Sequence, residues 1–67
     1  MFKFKDSSDH AIGMVDITTV SHAVGCNELT LYLLTHGDPV IFENVDNHVN
    51  FYEALSIEFR RRYNVSQ

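Results

Sequence analysis

The chain has 67 residues with a formal net charge of -4 at pH 7, and 45% of its residues are apolar while 21% are charged. This length predicts a single domain over residues 1–67 with a small core. The apolar content excludes a disordered segment, and no apolar run is long enough to span a membrane. The acidic balance disfavours non-specific binding to nucleic acid, because phosphate contacts need clustered Lys and Arg.

The chain has one cysteine, Cys26, which excludes an internal disulfide and a cysteine framework for structural zinc. Small domains usually supplement a marginal core with disulfides, a metal or self-association. The sequence therefore predicts a homodimer. A free cysteine is typical of a reducing compartment, and residues 1–6 lack the apolar run of a signal peptide behind them, so we expect the protein in the cytoplasm.

The first third of the chain favours extended structure. Phe2–Lys5 alternates phenylalanine with lysine, which is typical of a short edge strand. Residues 6–10 are rich in turn formers and predict a loop. Residues 11–24 are rich in β-branched side chains, and their apolar alternation shifts near Thr18 and Thr19, which indicates a bulge or bend there.

Residues 27–34 predict a strand with one buried face. Its leucine face carries Leu29, Leu31 and Leu33, and its other face carries Glu28, Thr30 and Tyr32. A two-residue type II′ turn at Gly37 and Asp38 predicts a hairpin with the next apolar run. That turn would pair Leu33 with Phe42 and Leu34 with Ile41, two apolar pairs of the kind that stabilise sheets.

The C-terminal region predicts an amphipathic helix. Its apolar residues recur at helical spacing in one wide stripe, namely Phe51, Tyr52, Leu55, Phe59 and Tyr63. Asp46 or Asn47 is expected to cap the first turn by accepting a backbone N–H. Glu58 and Arg62 form a favourable i,i+4 pair. The arginine triplet, which consists of Arg60, Arg61 and Arg62, lies in the last turn, where positive charge complements the helix dipole.

Residues 19–34 also fit a helix-turn-helix with Gly25 as the turn glycine. In that alternative, the recognition helix over residues 28–36 contains no Lys or Arg and begins with Glu28, so it has little with which to contact phosphates or bases. The β-branched residues before it are also poor helix formers. We therefore favour the extended interpretation.

The sequence contains no motif that indicates an enzyme, a cofactor or a metal site. The four histidines, His10, His22, His36 and His48, do not occur at the spacing of paired metal ligands. Cys26 has no visible base beside it, and we interpret it as a partly buried turn residue rather than a nucleophile. The nine carboxylates form no close pair, and the three glycines form no phosphate-binding loop.

We therefore predict an α+β fold, in which a small antiparallel meander of three to four strands packs one face against the C-terminal helix. This order of elements resembles that of many small bacterial and phage proteins and the end of some β-rich DNA-binding response-regulator domains, but no motif assigns the chain to either group.

Two functional hypotheses follow from this fold. The first is a non-enzymatic protein-interaction module, in which Tyr32, Leu34 and Ile41 look outward and form a dimer or partner surface. The second is a small nucleic-acid-associated regulator, in which Arg60, Arg61 and Arg62 make the basic contact.

Overall fold

A computed structural model describes residues 1–35 and 37–64, and it confirms the α+β class and the C-terminal helix. The strands are β1 (Phe2–Lys5), β2 (Ala11–Val15), β3 (Val20–Gly25), β4 (Leu29–Leu33) and β5 (Val40–Phe42). A 3-10 turn spans Ile17–Thr19, and the helix α1 spans His48–Tyr63. The predicted edge strand is confirmed as β1.

The strands of the described residues form two antiparallel sheets rather than one meander. β1 and β2 form a two-stranded hairpin, and β3, β4 and β5 form a three-stranded sheet in that order. The break between them falls at the 3-10 turn, close to the bend predicted at Thr18 and Thr19. The Asp16 carboxylate accepts hydrogen bonds from the hydroxyl and the backbone N–H of Thr18, which lower the pKa of Asp16.

The helix-turn-helix alternative is wrong, because the residues that it assigns to two helices form β3 and β4. These strands pair in antiparallel register from Val20 opposite Leu33 to Gly25 opposite Leu29, with an irregularity between Val20 and His22. The β-branched content of β3 favours this extended structure, as its composition predicts.

The predicted pairing of Leu33 with Phe42 and of Leu34 with Ile41 is wrong. In the structure Leu29 lies opposite Phe42, and Thr30 lies opposite Ile41. The connection is longer than a two-residue turn and includes Pro39, which has no N–H to donate. The register instead follows tertiary packing, since the Phe42 ring lies against the Phe4 ring of β1 with centroids 4.6 Å apart.

The core lies on the inner face of the three-stranded sheet, the face that carries Val20, Leu29 and Leu31. All three side chains are fully buried beneath α1 and the β1–β2 hairpin. Phe4 from β1 and Phe51 from α1 meet there with ring centroids 4.9 Å apart. Burial of such side chains, at about 1.5–3 kcal/mol each, is the main force that holds the two sheets and the helix together.

The two ends of α1 differ from the sequence prediction. Asn47 precedes the helix, but its side chain makes no capping bond. Its amide instead accepts from the Lys5 N–H at 2.9 Å and donates to the Lys3 carbonyl at 3.0 Å, which fastens the start of α1 to β1. At the other end, Tyr63 is 72% exposed and does not continue the buried stripe, whereas Arg62 reaches the carbonyls of the 3-10 turn.

Candidate interaction surface

The outer face of the three-stranded sheet points away from α1 and the hairpin. The register places Val24, Thr30 and Ile41 in one row across the three strands, and His22 opposite Tyr32 in the next row. The His22 and Tyr32 rings stack with centroids 4.4 Å apart and an interplanar angle of 9°. Leu34 follows β4 directly and continues its alternation, with its N–H donating to the Thr19 carbonyl.

Apolar side chains dominate this outer face and are open to solvent. Tyr32 is 38% exposed, Leu34 57%, Ile41 55% and Val24 51%. These four residues are nearly half of the nine large exposed hydrophobic residues in the described part of the chain. Single exposed hydrophobic residues are ordinary on protein surfaces, whereas a contiguous group usually marks an interaction site.

The strand residues of the outer face are His22, Val24, Thr30, Tyr32 and Ile41, and none of them is Asp, Glu, Lys or Arg. Glu28 and Glu43 occupy the next alternate positions, just before β4 and just after β5, so carboxylates lie at the rim of this face rather than at its centre. The exposed face of α1 differs, because its Ile57 lies beside Glu53 and Arg60. An apolar centre without buried charge is typical of the core of protein interfaces.

The predicted surface residues Tyr32, Leu34 and Ile41 are thus brought to one side of the molecule, while Val24 and His22 were not predicted to join them. The sequence shows Val20, His22 and Val24 at alternate positions, which suggests one shared face. The irregularity after Val20 instead leaves Val20 fully buried and turns His22 and Val24 outward. The signal for this bulge is weak in the sequence, because it depends on how β3 pairs with β4.

Two members of the arginine triplet, Arg61 and Arg62, bind Glu58, which is only 6% exposed. Arg61 donates two hydrogen bonds to its carboxylate, at 2.7 and 3.1 Å, and Arg62 donates one at 3.0 Å. The predicted pair of Glu58 and Arg62 is therefore confirmed. The hydrogen bonds from Arg61, more than those from Arg62, hold the pKa of Glu58 below its usual value.

Arg62 also connects α1 to the turn before β3. Its guanidinium donates to the Ile17 carbonyl at 3.1 Å and to the Thr18 carbonyl at 3.0 Å, and it lies 5.2 Å from the centre of the Phe59 ring. The Arg62 side chain is only 14% exposed, whereas that of Arg61 is 67% exposed. Arg60 and Arg61 are consequently the members of the triplet that remain at the surface.

The residues considered for catalysis or metal binding lie in separate parts of the fold wherever the structure describes them. His10, His22 and His48 lie in the first loop, in β3 and at the start of α1, and His36 lies outside the described residues. Cys26 is exposed rather than partly buried, because it occupies the open turn between β3 and β4. Within residues 1–35 and 37–64, no three His, Cys, Asp or Glu side chains lie close enough to hold a metal ion.

None of the helical segments in the described part of the chain has both the length and the hydrophobicity that crossing a bilayer requires. Comparisons of the chain with models of known protein families, with curated proteins and with solved structures found no match.

Proposed function

We propose that this chain is a non-enzymatic interaction module that forms a homodimer through the outer face of its three-stranded sheet. The single observation that carries the proposal is the uncharged apolar group formed by Val24, Tyr32, Leu34 and Ile41 on a face that α1 and the hairpin leave uncovered. A free, exposed Cys26 suits a reducing compartment, so we place this dimer in the cytoplasm.

An apolar face of this kind can pack against a second copy of itself. Most homodimers are related by a two-fold axis that brings the same patch of both subunits together. Sheets stack face to face about 10 Å apart, a distance that side chains such as Tyr32 and Ile41 fill. Because the strand residues of this face include no Asp, Glu, Lys or Arg, stacking them buries no unpaired ion at the centre of the contact, and Glu28 and Glu43 remain at its rim.

Sedimentation velocity at tens of micromolar tests the proposal. We expect the wild-type chain to sediment as a dimer and the Ile41→Lys variant to sediment as a folded monomer, because two ammonium groups would face each other across the two-fold axis. Ile57→Lys is the matched control, since Ile57 is similarly exposed, at 66% against 55%, but lies on α1. It should remain a dimer.

Far-UV circular dichroism of both variants shows whether each one keeps its secondary structure. A wild-type chain that stays monomeric at this concentration contradicts the proposal. The proposal is also contradicted if the Ile57→Lys variant is monomeric while the Ile41→Lys variant remains a dimer, because that result would place the interface on α1.

A further inference from the structure

A second surface lies between β3 and α1, where the two elements leave a groove of about 230 Å³. Its lining comes from two residues of β3 and four of α1: His22, Ala23, Tyr52, Leu55, Ser56 and Phe59. At one end the Tyr52 hydroxyl donates to the Gly25 carbonyl at 2.7 Å, and burial raises the pKa of this hydroxyl. At the other end Arg62 binds the carbonyls of the 3-10 turn. The helix is therefore held alongside the whole length of β3.

In the part of the chain that the structure describes, one side of β3 has no neighbouring strand. In the order β3, β4, β5, it pairs only with β4, and the β1–β2 hairpin forms a separate sheet. Among residues 1–35 and 37–64, the hydrogen bonds that link the backbone of β3 to groups outside the sheet lie at its two ends: the Val20 N–H donates to the Ile17 carbonyl, and the Gly25 carbonyl accepts from Tyr52. The edge of β3 thus offers backbone donors and acceptors directly beside an apolar groove, and such an edge is a template for another strand.

We propose that this groove binds an extended segment of a partner protein, which adds to the three-stranded sheet as an antiparallel strand beside β3. The segment has an apolar side chain at every second residue, which enters the groove between Ala23 and Phe59, and acidic residues at its C-terminal end. Backbone hydrogen bonds to β3 supply affinity, and the groove selects the side chains.

The size of the groove favours a peptide over a small metabolite. Pockets that bind drug-sized molecules measure about 300–1,000 Å³, which is more than this groove offers. A cavity of about 150 Å³ holds one benzene molecule, so about 230 Å³ receives one or two apolar side chains.

The charges at the two ends of the groove give the segment its direction. Arg60 lies at the end where β3 begins, because Arg62 of the same helical turn contacts the residues just before that strand, while the neighbouring Arg61 is bound to Glu58. Glu28 and Glu53 lie at the end where β3 finishes, in the following turn and next to Tyr52. A segment antiparallel to β3 therefore has its C-terminal end near Arg60, where carboxylates are favoured.

A second copy of the chain fits this edge less well. Pairing β3 with the β3 of another copy would place the strands about 4.8 Å apart. Each α1 is fastened to both ends of its own β3, and packed helices need about 8–10 Å between their axes. The two helices would crowd each other, whereas a single extended segment brings no helix with it.

This inference rests on the proposed function only in assigning the chain an interaction role, since the groove and the outer face share a single residue, His22. The Ile41→Lys variant that should abolish the dimer leaves every residue of the groove unchanged. A monomeric variant that still binds the peptide would separate the two proposals, as would a wild-type dimer that does not bind it.

The test is a titration of the 15N-labelled full chain with a synthetic peptide that alternates valine and threonine and carries two glutamates at its C-terminal end. We expect saturable amide shifts confined to β3 and the groove side of α1. A peptide with the glutamates at its N-terminal end should bind several-fold more weakly. Two further peptides, N-methylated on the two alternate sets of amides, should differ, because only one set faces β3.

Ser56→Trp is the matching change in the protein, since it fills the groove from an exposed position on α1. It should abolish the shifts, whereas Ser7→Trp in the exposed first loop should not. The proposal is overturned if the first peptide shifts no amide of β3, if both methylated peptides bind equally, or if a folded Ser56→Trp variant binds normally. Shifts of β3 amides that grow with protein concentration alone in the Ile41→Lys variant also overturn it, because in a chain that no longer dimerises through the outer face they assign the edge to a second copy.

Discussion

Substitution of Gly13 by alanine tests how the β1–β2 hairpin packs on the three-stranded sheet. A Cβ atom on Gly13 would overlap Cε1 of Phe42 and lie 3.0 Å from its Cδ1 and 3.1 Å from its Cζ. The Phe42 ring has little room to retreat, because it lies against the ring of Phe4, which is fully buried. The added methyl group therefore forces either the ring or β2 to move.

The expected cost combines two opposing effects. Overpacking a well-filled core costs about 1–3 kcal/mol, whereas replacing glycine by alanine stabilises a protein by about 0.4–1 kcal/mol through the unfolded chain. The Gly13→Ala variant should thus be less stable than the wild type by about 1–2 kcal/mol. For a domain of this size, that loss lowers the melting temperature by about 4–16 °C.

Urea unfolding of a double-mutant cycle measures the effect. Phe42→Leu removes the far edge of the ring, so Gly13→Ala should cost less in that background, with a coupling energy of at least about 0.5 kcal/mol. Equal or greater stability of Gly13→Ala alone, with no coupling to position 42, would refute the reasoning. The hairpin would then not cover β5, and the inner face of the sheet would be open as well as the outer one.

Three further predictions concern the links around α1. The lowered pKa of Glu58 contributes stability above the unfolded value of about 4.3, and this stability is lost as the pH falls through the lowered folded value. Urea unfolding between pH 3 and 7 should therefore show a smaller acid-induced loss for Glu58→Gln than for the wild type, and equal losses would contradict this. Asn47→Ala removes two hydrogen bonds to β1 and should lower the free energy of unfolding by about 1–2 kcal/mol, whereas Asn50→Ala, exposed on α1, should not. Fluorescence anisotropy should detect no binding of labelled duplex DNA at about 50 mM salt, because two members of the arginine triplet are paired with Glu58. Binding that weakens with added salt would instead favour the nucleic-acid hypothesis.

Local patterns in the sequence predict most of the elements but not how they pair. The alternation of Phe2–Lys5 and the helical spacing from Phe51 to Phe59 are visible within a few residues, and both elements are present. The hairpin register was predicted wrongly because it depends on Phe4, which lies 38 residues before Phe42 in the chain. The residues around Gly37 contain no pattern that indicates the contact between Phe4 and Phe42.

The outward position of Tyr32, Leu34 and Ile41 was predicted correctly although the register was predicted wrongly, and the reason is geometric. The observed pairing moves each residue of β5 by four places along β4, and an even shift leaves every side chain on the same face of the sheet. The groove beside β3 was not predicted, because it arises from long-range contacts such as the bond from Arg62 to the Ile17 carbonyl, 45 residues apart.

The central claim is that two copies of the chain meet through the outer face of the three-stranded sheet. An isotope-filtered NOE experiment on a mixture of 13C-labelled and unlabelled chains tests it most directly. The account predicts intermolecular NOEs from the methyl groups of Ile41 and Leu34 to the Tyr32 ring of the other copy. Intermolecular NOEs from Ile57 on α1 instead, or none at a concentration where the chain sediments as a dimer, would contradict it.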